Sequence, residues 1–471
     1  MGYNVENDLI STSTFNPTRW GLPPCPAQDL TQHLQRFWYR HQDGFPTKTR
    51  DTSAYALHYM SALLRLQTER NFTNIGNTCA MSPQNIQHFM SNSPCDVRFV
   101  LWKVQREIVH TPALQQGGVL ILDESADEKA SAKTVGAGRQ YNGRMGKIEM
   151  SQVGTFLAFA HLPTSTWTWM DGELFVPEDW FTKEKQSERE RLGMPEKRAF
   201  ATKIELGWQM IQRAREHRLP FEILACDALY GRADGFRHKM DADKLLYMAA
   251  VPFSTHVAPM PVEKEADLIW TVEDLAKRQS TLWQTVSVRP TERGTLTEAF
   301  ACVPVFTWRD EACSRELLVL RKDEAGKISS ALCNAPEETP LSQLAEWGCV
   351  RYFIERANQD AKSEAGFAEL RAQKWLAWEH HLALTILACW FVAQTKLEWQ
   401  EQYPPDAALL QQLQVERLPT LSMANVREML RAVLPLPQLT PEEASRQVVK
   451  HLFARTQSRK SRMKNLRKPH T

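Results

Sequence analysis

The sequence predicts an α/β protein, and three observations support this prediction. The apolar run 118–122 is typical of a buried strand and ends at Asp123, and the run 221–226 is a second such strand that ends at Asp227. Between them, residues 199–217 carry apolar side chains at helical spacing. Open α/β sheets bind ligands beyond the carboxyl ends of their strands. We therefore expect the two acids to mark a site.

A third acid lies on a predicted helix and is flanked by two cations. Arg351, Glu355 and Lys362 are spaced i, i+4 and i+11, which places them within roughly 40° of one another on one helical face. A carboxylate between two cations suits a metal-bound phosphate. The alternative is ordinary surface pairing of the cations with Glu355 or Glu364.

Asp123, Asp227 and Glu355 together predict a site for Mg²⁺ or Mn²⁺. Carboxylate oxygens suit these hard cations better than zinc. The nine cysteines include no CxxC pair, which argues against a zinc cluster or a disulfide framework. Two such ions activate a water or a 3′-hydroxyl and stabilise the leaving oxygen of a phosphodiester.

The order of elements predicts how the chain is divided. Strands at 148–162 and 167–176 precede the helix and the second acidic strand, which is the order of the ribonuclease-H-like fold. The interval from Asp227 to Glu355 is too long for a simple loop and contains short β-like stretches. We predict five segments: a helical DNA-binding region (1–112), the first part of a ribonuclease-H-like core (113–238), a β-rich insertion (239–345), the core helix with the catalytic Glu (346–400), and a helical C-terminal region with a basic tail (401–471).

Two regions are candidates for binding DNA. Ser82 and Pro83 are good helix-starting residues, and a helix-turn-helix here would expose Gln84 and Gln87 to DNA. Plain packing of a small helical bundle is the alternative. The net charge of +2 is uninformative, but no acid follows Glu443. The tail therefore suits the DNA backbone, unless it is only a solvated terminus. Its candidate contacts are Arg459, Lys460, Arg462 and Lys464.

Other patterns exclude classes of protein. The sequence has no run of 18 apolar residues and no signal-peptide pattern, so we expect no membrane partner and a cytoplasmic location. The adjacent His380 and His381 point about 100° apart on a helix. A structural or DNA-backbone role is therefore favoured over metal binding for this pair.

Several segments in a fixed order carry a family resemblance. They are residues 120–125 around Asp123, 138–143, 174–180, 227–231 and 354–366. With them the chain resembles the DDE transposases of bacterial insertion sequences, most closely insertion sequence family 701 of the insertion-sequence-four-like superfamily. The likeness covers roughly residues 85–395.

The family signature around the Glu is Tyr-x2-Arg-x3-Glu-x6-Lys. Arg351, Glu355 and Lys362 fit it, whereas Gly348 stands at the Tyr position. The family's two consecutive Asp are replaced by Asp123 and Glu124. Both departures fall beside the expected catalytic residues.

The resemblance implies a transposase. Such a protein binds the terminal inverted repeats of its element as a homodimer on DNA, cuts there and joins the ends to target DNA. Asp123, Asp227 and Glu355 would hold two Mg²⁺ (or Mn²⁺) ions, with Arg351 and Lys362 stabilising phosphate charge. The expected location is the bacterial cytoplasm, in association with the nucleoid.

The resemblance also suggests further DNA contacts. Arg139 and Lys147 are candidate phosphate contacts, with a solvated loop as the alternative. A flipped base could stack on Trp283 or Trp308, although core packing is favoured for both. Two other functions stay open: a related nuclease without strand transfer, and a domesticated DNA-binding protein without catalysis.

Overall fold

One large mixed sheet organises the part of the chain that the computed structural model describes, which is residues 15–46, 51–143, 145–278, 281–291 and 294–415, with residues 13, 425, 428 and 429. The sheet has ten strands, in the order β2-β3-β1-β5-β6-β12-β11-β10-β9, and β4 pairs with β3. This architecture confirms the α/β class. The strands are β1 (Gly118–Glu128), β2 (Ala137–Asn142), β3 (Lys147–His161), β4 (Thr166–Phe175), β5 (Ile223–Cys226), β6 (Tyr247–Ala250), β9 (Gln284–Thr291), β10 (Gly294–Arg309), β11 (Ala312–Lys322) and β12 (Ile328–Cys333), while β7 (His256–Val257) and β8 (Trp270–Thr271) pair separately.

Helices cover the sheet and fill most of the described chain before residue 112. They are α1 (Pro26–His41), α2 (Ser53–Arg65), α3 (Phe72–Thr78), α4 (Pro83–Asn92), α5 (Val97–His110), α6 (Gln186–Leu192), α7 (Lys203–Glu216), α8 (Ala228–Gly231), α9 (Asp234–Ala242), α10 (Val272–Lys277), α11 (Leu341–Gly348), α12 (Arg351–Gln359), α13 (Trp375–Gln402) and α14 (Ala407–Leu413).

The register of the sheet brings Asp123 and Asp227 together. β1 is antiparallel to β3 and parallel to β5, with Leu122 opposite Cys226. Because each of these residues directly precedes an acid, Asp123 and Asp227 lie side by side. β5 ends at Cys226, but β1 continues past Asp123 to Glu128 and stays paired with β3, so the prediction that this strand ends at Asp123 is wrong. β6 continues the sheet parallel to β5.

The strands β9 to β12 extend this same sheet, because β12 pairs with β6. A cluster of buried charged residues joins these added strands, β9 to β12, to the rest of the sheet. Glu316 of β11 accepts hydrogen bonds from Arg237 Nε at 3.1 Å and from Tyr247 Oη at 2.5 Å. The cluster fixes α9 and β6 to the added strands. The five-segment division stays a prediction.

A second cluster of buried charges fixes the N-terminal helices to the sheet. Asp171 and Glu173 of β4 are 1% and 6% exposed. Asp171 accepts from Arg98 Nη1 and from Arg213 Nε, both at 2.8 Å. Arg98 belongs to α5 and Arg213 to α7, so one carboxylate joins helices on either side of it.

Helix α13 is the central support of the molecule. It packs against β4 and against α2, α4 and α5. By length and composition it could cross a membrane, but 89% of its most apolar window is buried inside the protein. It is therefore the core helix of this fold.

The two adjacent histidines of α13 are structural. His381 lies with Nδ1 3.0 Å from Tyr59 Oη and Nε2 3.1 Å from the Phe367 carbonyl oxygen. Burial lowers the pKa of both His380 and His381 to about 4. Both rings are thus neutral core residues at neutral pH.

An irregular segment joins α12 to α13. α12 passes into a π-helical turn at Asp360–Glu364. Gly366 then takes a left-handed backbone conformation with φ +76°, which residues with a Cβ atom rarely adopt. A 3-10 turn, Phe367–Glu369, follows before α13 begins at Trp375.

Candidate active site

Asp123 and Asp227 are positioned by different local structures. Asp123 Oδ1 accepts the backbone N–H of Glu124 at 2.8 Å, and its Oδ2 lies 3.4 Å from the donor Asn358 Nδ2. Asp227 caps α8, with Oδ1 accepting the Leu229 N–H at 3.0 Å. These backbone donors orient both carboxylates at the point where β5 ends beside β1.

Burial and mutual repulsion set the electrostatics of the pair. The pKa of Asp123 is raised to about 7, chiefly by burial and then by the neighbouring Asp227, while Arg351 opposes the rise. The pKa of Asp227 is also raised by burial and by Glu124, again against the effect of Arg351. Two desolvated carboxylates share one guanidinium, so the pair favours an additional cation.

Helix α12 brings the predicted third acid to the same end of the sheet. The helix packs against β1, and Glu355 is exposed on it. One turn later, Asn358 bridges the site: its Nδ2 reaches Asp123 and its Oδ1 accepts from Trp169 Nε1 at 2.9 Å. Asn358 was not among the predicted site residues, although its i+7 spacing from Arg351 places it on the predicted helical face.

Lys362 does not extend the helical face as expected, since it lies within the π-helical turn that follows α12. Its Nζ donates to Ser125 Oγ at 2.9 Å and to the Ala126 carbonyl at 2.8 Å, and it pairs with Asp127 Oδ1 at 2.7 Å. An ammonium has three donors, and these contacts match all three. In the protein alone, Lys362 therefore fixes the end of β1.

The chemistry of the donors fits Mg²⁺ or Mn²⁺, because Asp123, Asp227 and Glu355 offer only carboxylate oxygens. The structure brings Asp123 and Asp227 together. Among the described residues, however, no three His, Cys, Asp or Glu side chains form a metal-holding group. Glu355 therefore does not complete a three-ligand cluster with them in this conformation.

Glu124, which stands where the family has a second Asp, has a cation of its own. Its carboxylate pairs with Lys203 at the start of α7. The Lys203 ammonium also lies 5.3 Å from the centre of the Phe175 ring. Glu124 is therefore neutralised locally, in contrast to its neighbour Asp123.

The predicted DNA contacts are spread over the surface. Arg139 and Lys147 lie on the β2–β3 hairpin, where Lys147 Nζ pairs with Glu149 at 2.6 Å. Trp308 is partly buried on β10, opposite Cys313. Gln84 and Gln87 are exposed on α4. The predicted tail contacts Arg459, Lys460, Arg462 and Lys464 lie outside the described residues.

The partly buried Trp283 packs beside the cluster of apolar residues in the added strands. Lys322 Nζ lies 4.6 Å from the centre of its ring. These contacts agree with the core role that was favoured for Trp283.

Comparison with known proteins identifies the family. The family described as DDE superfamily endonuclease matches residues 41–295, which is more than half of the chain. A probable transposase for insertion sequence element IS701 from Microchaete diplosiphon is 23% identical over 251 residues, or 53% of this chain and 61% of the relative. The matched region thus spans about three fifths of that relative.

One solved structure with a similar outline is a cryo-EM structure of the piggyBac transposase synaptic complex with hairpin DNA. It covers 88% of this chain and 84% of that chain, with a TM-score of 0.38 and 12% identity. On the family match, the chain belongs to the DDE superfamily endonucleases, and it is similar to the insertion sequence 701 type of transposase.

Proposed function

We propose that this protein is a transposase that binds the terminal inverted repeats of an insertion sequence, cleaves the DNA there and joins the ends to target DNA. The observation that carries the proposal is the pair of desolvated, mutually repelling carboxylates of Asp123 on β1 and Asp227 at the end of the adjacent β5. Such a pair is costly to keep ionised and becomes favourable with a bound cation.

The topology supports a ribonuclease-H-like core for this activity. The strand order β4-β3-β1-β5-β6, with β1 antiparallel to β3 and parallel to β5, is that expected of such a core. Helix α12 then returns to β1 with Glu355. The proposed active site is the place where β1, β5 and α12 meet.

Asp123 and Asp227 are the proposed ligands of two Mg²⁺ or Mn²⁺ ions, and Glu355 is the third acid. Such ions, when bound, activate a water or a 3′-hydroxyl and stabilise the leaving oxygen. Because Glu355 is exposed on a helix that packs against β1, it is accessible to incoming substrate and metal.

The remaining residues position these groups. Asn358 holds Asp123 through one amide atom and Trp169 through the other. Arg351 supplies positive charge beside both acids, where a scissile phosphate would lie. Lys362 keeps the end of β1 in place through Ser125, Ala126 and Asp127.

The proposed partners are the two ends of the element and a target duplex, bound by a homodimer. A nuclease that cleaves without joining is the second candidate, because the matched family is described as endonucleases. The same acids would serve both reactions, so only the products distinguish them.

The test is a reaction of the full chain with Mg²⁺ and a supercoiled plasmid that carries the element ends. We expect cleaved and joined products from the wild type and neither product from Asp227→Asn or Glu355→Gln. Asp267→Asn, on a partly exposed carboxylate, and Glu338→Gln, on an exposed one, are the matched controls. Cleavage without joining would favour the nuclease, and full activity in Asp227→Asn would contradict the acid assignment.

A further inference from the structure

An open groove of about 730 Å³ lies beside the N-terminal helices, away from the acidic pair. One wall is α4. Its apolar side, formed by Ile86, Phe89 and Met90, is buried in the protein. Its other side presents exposed polar residues to the groove, namely Gln84, Gln87, His88 and Asn92. These side chains can donate and accept hydrogen bonds.

The opposite wall supplies positive charge. Arg371 and Lys374 come from the segment before α13, and Arg191 comes from α6. Lys374 Nζ donates to Asn92 Oδ1 at 2.8 Å, which joins the two walls. No Asp or Glu is among the described residues that line this groove.

A smaller cavity of about 330 Å³ continues the groove. The two share Phe72, Gln84, Gln87 and Arg371 as lining residues. The cationic and amide-bearing surface is therefore longer than the groove alone, as an extended polymer requires.

The wall that carries Arg371 and Lys374 is hydrogen-bonded to the segment that follows β1. Lys129, which directly follows β1, donates through Nζ to the Leu370 carbonyl at 3.2 Å. The Val135 N–H donates to the Gln373 carbonyl at 3.0 Å. Since β1 also carries Asp123, the groove and the acidic site are held by the same strand and its extension.

We propose that this groove binds duplex DNA, with Arg371, Lys374 and Arg191 on the phosphates. Gln84 and Gln87 then face the base edges, since Gln pairs with adenine through two hydrogen bonds in the major groove. The inference rests on the proposed function and deepens it, because it names the surface that delivers a DNA end to the acids. An acidic protein segment would use the cations but leave the row of amides without a role.

The experiment measures binding of the full chain to a fluorescein-labelled duplex of about 30 base pairs across a salt series. For Arg371→Gln with Lys374→Gln we expect binding weaker by about 10- to 100-fold at ~0.1 M salt. The slope of log K against log salt should fall by about 2 in magnitude, one for each lost phosphate contact. Gln87→Ala should alter preference among duplex sequences and leave the slope unchanged.

The control is Lys264→Gln with Lys277→Gln, which removes two exposed cations from a region away from the groove. Thermal melting of each variant checks that it is folded. The control should bind the duplex with the wild-type affinity and slope. If it loses as much affinity as the groove variant, the effect is one of net charge and the groove assignment is wrong.

Three further results would overturn the proposal in distinguishable ways. A wild type that binds no duplex contradicts both the groove and the proposed function. Wild-type binding that is unchanged in the folded groove variant contradicts the groove alone, and cleavage of plasmid then still tests the function. Competition by polyglutamate as strong as that by DNA would reassign the groove to an acidic protein partner.

Discussion

Asp171 and Asp123 are carboxylates of one sheet, yet they are held in opposite ways. Asp171 is 1% exposed and receives two guanidinium groups, each at 2.8 Å. Asp123 receives a backbone N–H and a side-chain amide and faces another acid, and its pKa rises to about 7. The first arrangement stabilises the fold, whereas the second retains an electrostatic cost that a ligand relieves. Burial alone therefore does not mark a functional acid; the absence of a matching charge does.

Asp171→Asn should produce the largest loss of stability. The substitution removes the buried carboxylate that contacts both Arg98 and Arg213, and Glu173 is then the acid that still pairs with them. We expect the free energy of unfolding in urea to fall by about 2–3 kcal/mol. Asp43→Asn, which breaks an exposed ion pair with Lys103, is the control and should cost less than about 1 kcal/mol. Equal losses would contradict the contrast.

Asp123→Asn should stabilise the metal-free protein, in contrast to Asp171→Asn. The pKa of Asp123 is about 7 in the folded protein, against an ordinary value of 3.8. Between these values the folded state binds more protons than the unfolded state, so stability falls as pH rises and the loss is complete above about pH 7. In EDTA at about pH 8 the amide should therefore stabilise the protein by about 1–3 kcal/mol. A destabilised variant would mean that the carboxylate is satisfied in the metal-free protein.

His380→Phe tests a buried group without an opposing charge. Burial lowers the pKa of His380 to about 4, and the unfolded chain titrates near 6.5. The stability due to this site is complete above about pH 6.5 and is lost as pH falls towards 4. The variant should therefore gain about 2 kcal/mol relative to wild type between about pH 8 and pH 5, measured by urea unfolding. Exposed His256→Phe should show no such gain.

Asn358→Ala should have the smallest effect on stability, about 1 kcal/mol, because it removes the hydrogen bonds to Trp169 and Asp123. Its effect on cleavage should be larger, about 10-fold in rate, since Asp123 loses a group that orients it. The neighbouring exposed Gln359→Ala is the control. A loss of stability without a change in cleavage rate would limit Asn358 to a structural role.

The sequence was sufficient to predict the two strands that carry the acids, although β1 continues past Asp123 to Glu128 instead of ending there. Apolar runs gave strands near the observed β1, β3, β4 and β5, and the helix predicted at 199–217 is observed as Lys203–Glu216. Local periodicity determines such elements, because each buries one side or both sides against a core. The position of Asp123 beside Asp227 followed from parallel pairing of the strands.

Periodicity could not predict contacts between distant segments. Lys374 meets Asn92, and Arg98 meets Asp171, only after the helices pack on the sheet. The π-helical turn at Asp360–Glu364 also escaped prediction and turned Lys362 towards β1. These features depend on tertiary packing, which overrides local preference.

We propose above all that Asp123 and Asp227 form a cation site. Thermal unfolding of the full chain at increasing concentrations of Mn²⁺ tests this proposal most directly. Ligand at about 100 times its Kd stabilises a protein by about 2.7 kcal/mol. We predict a rise in Tm for wild type and for the control Asp267→Asn, and none for Asp123→Asn or Asp227→Asn. A full Mn²⁺-dependent rise in both acid variants would contradict the claim.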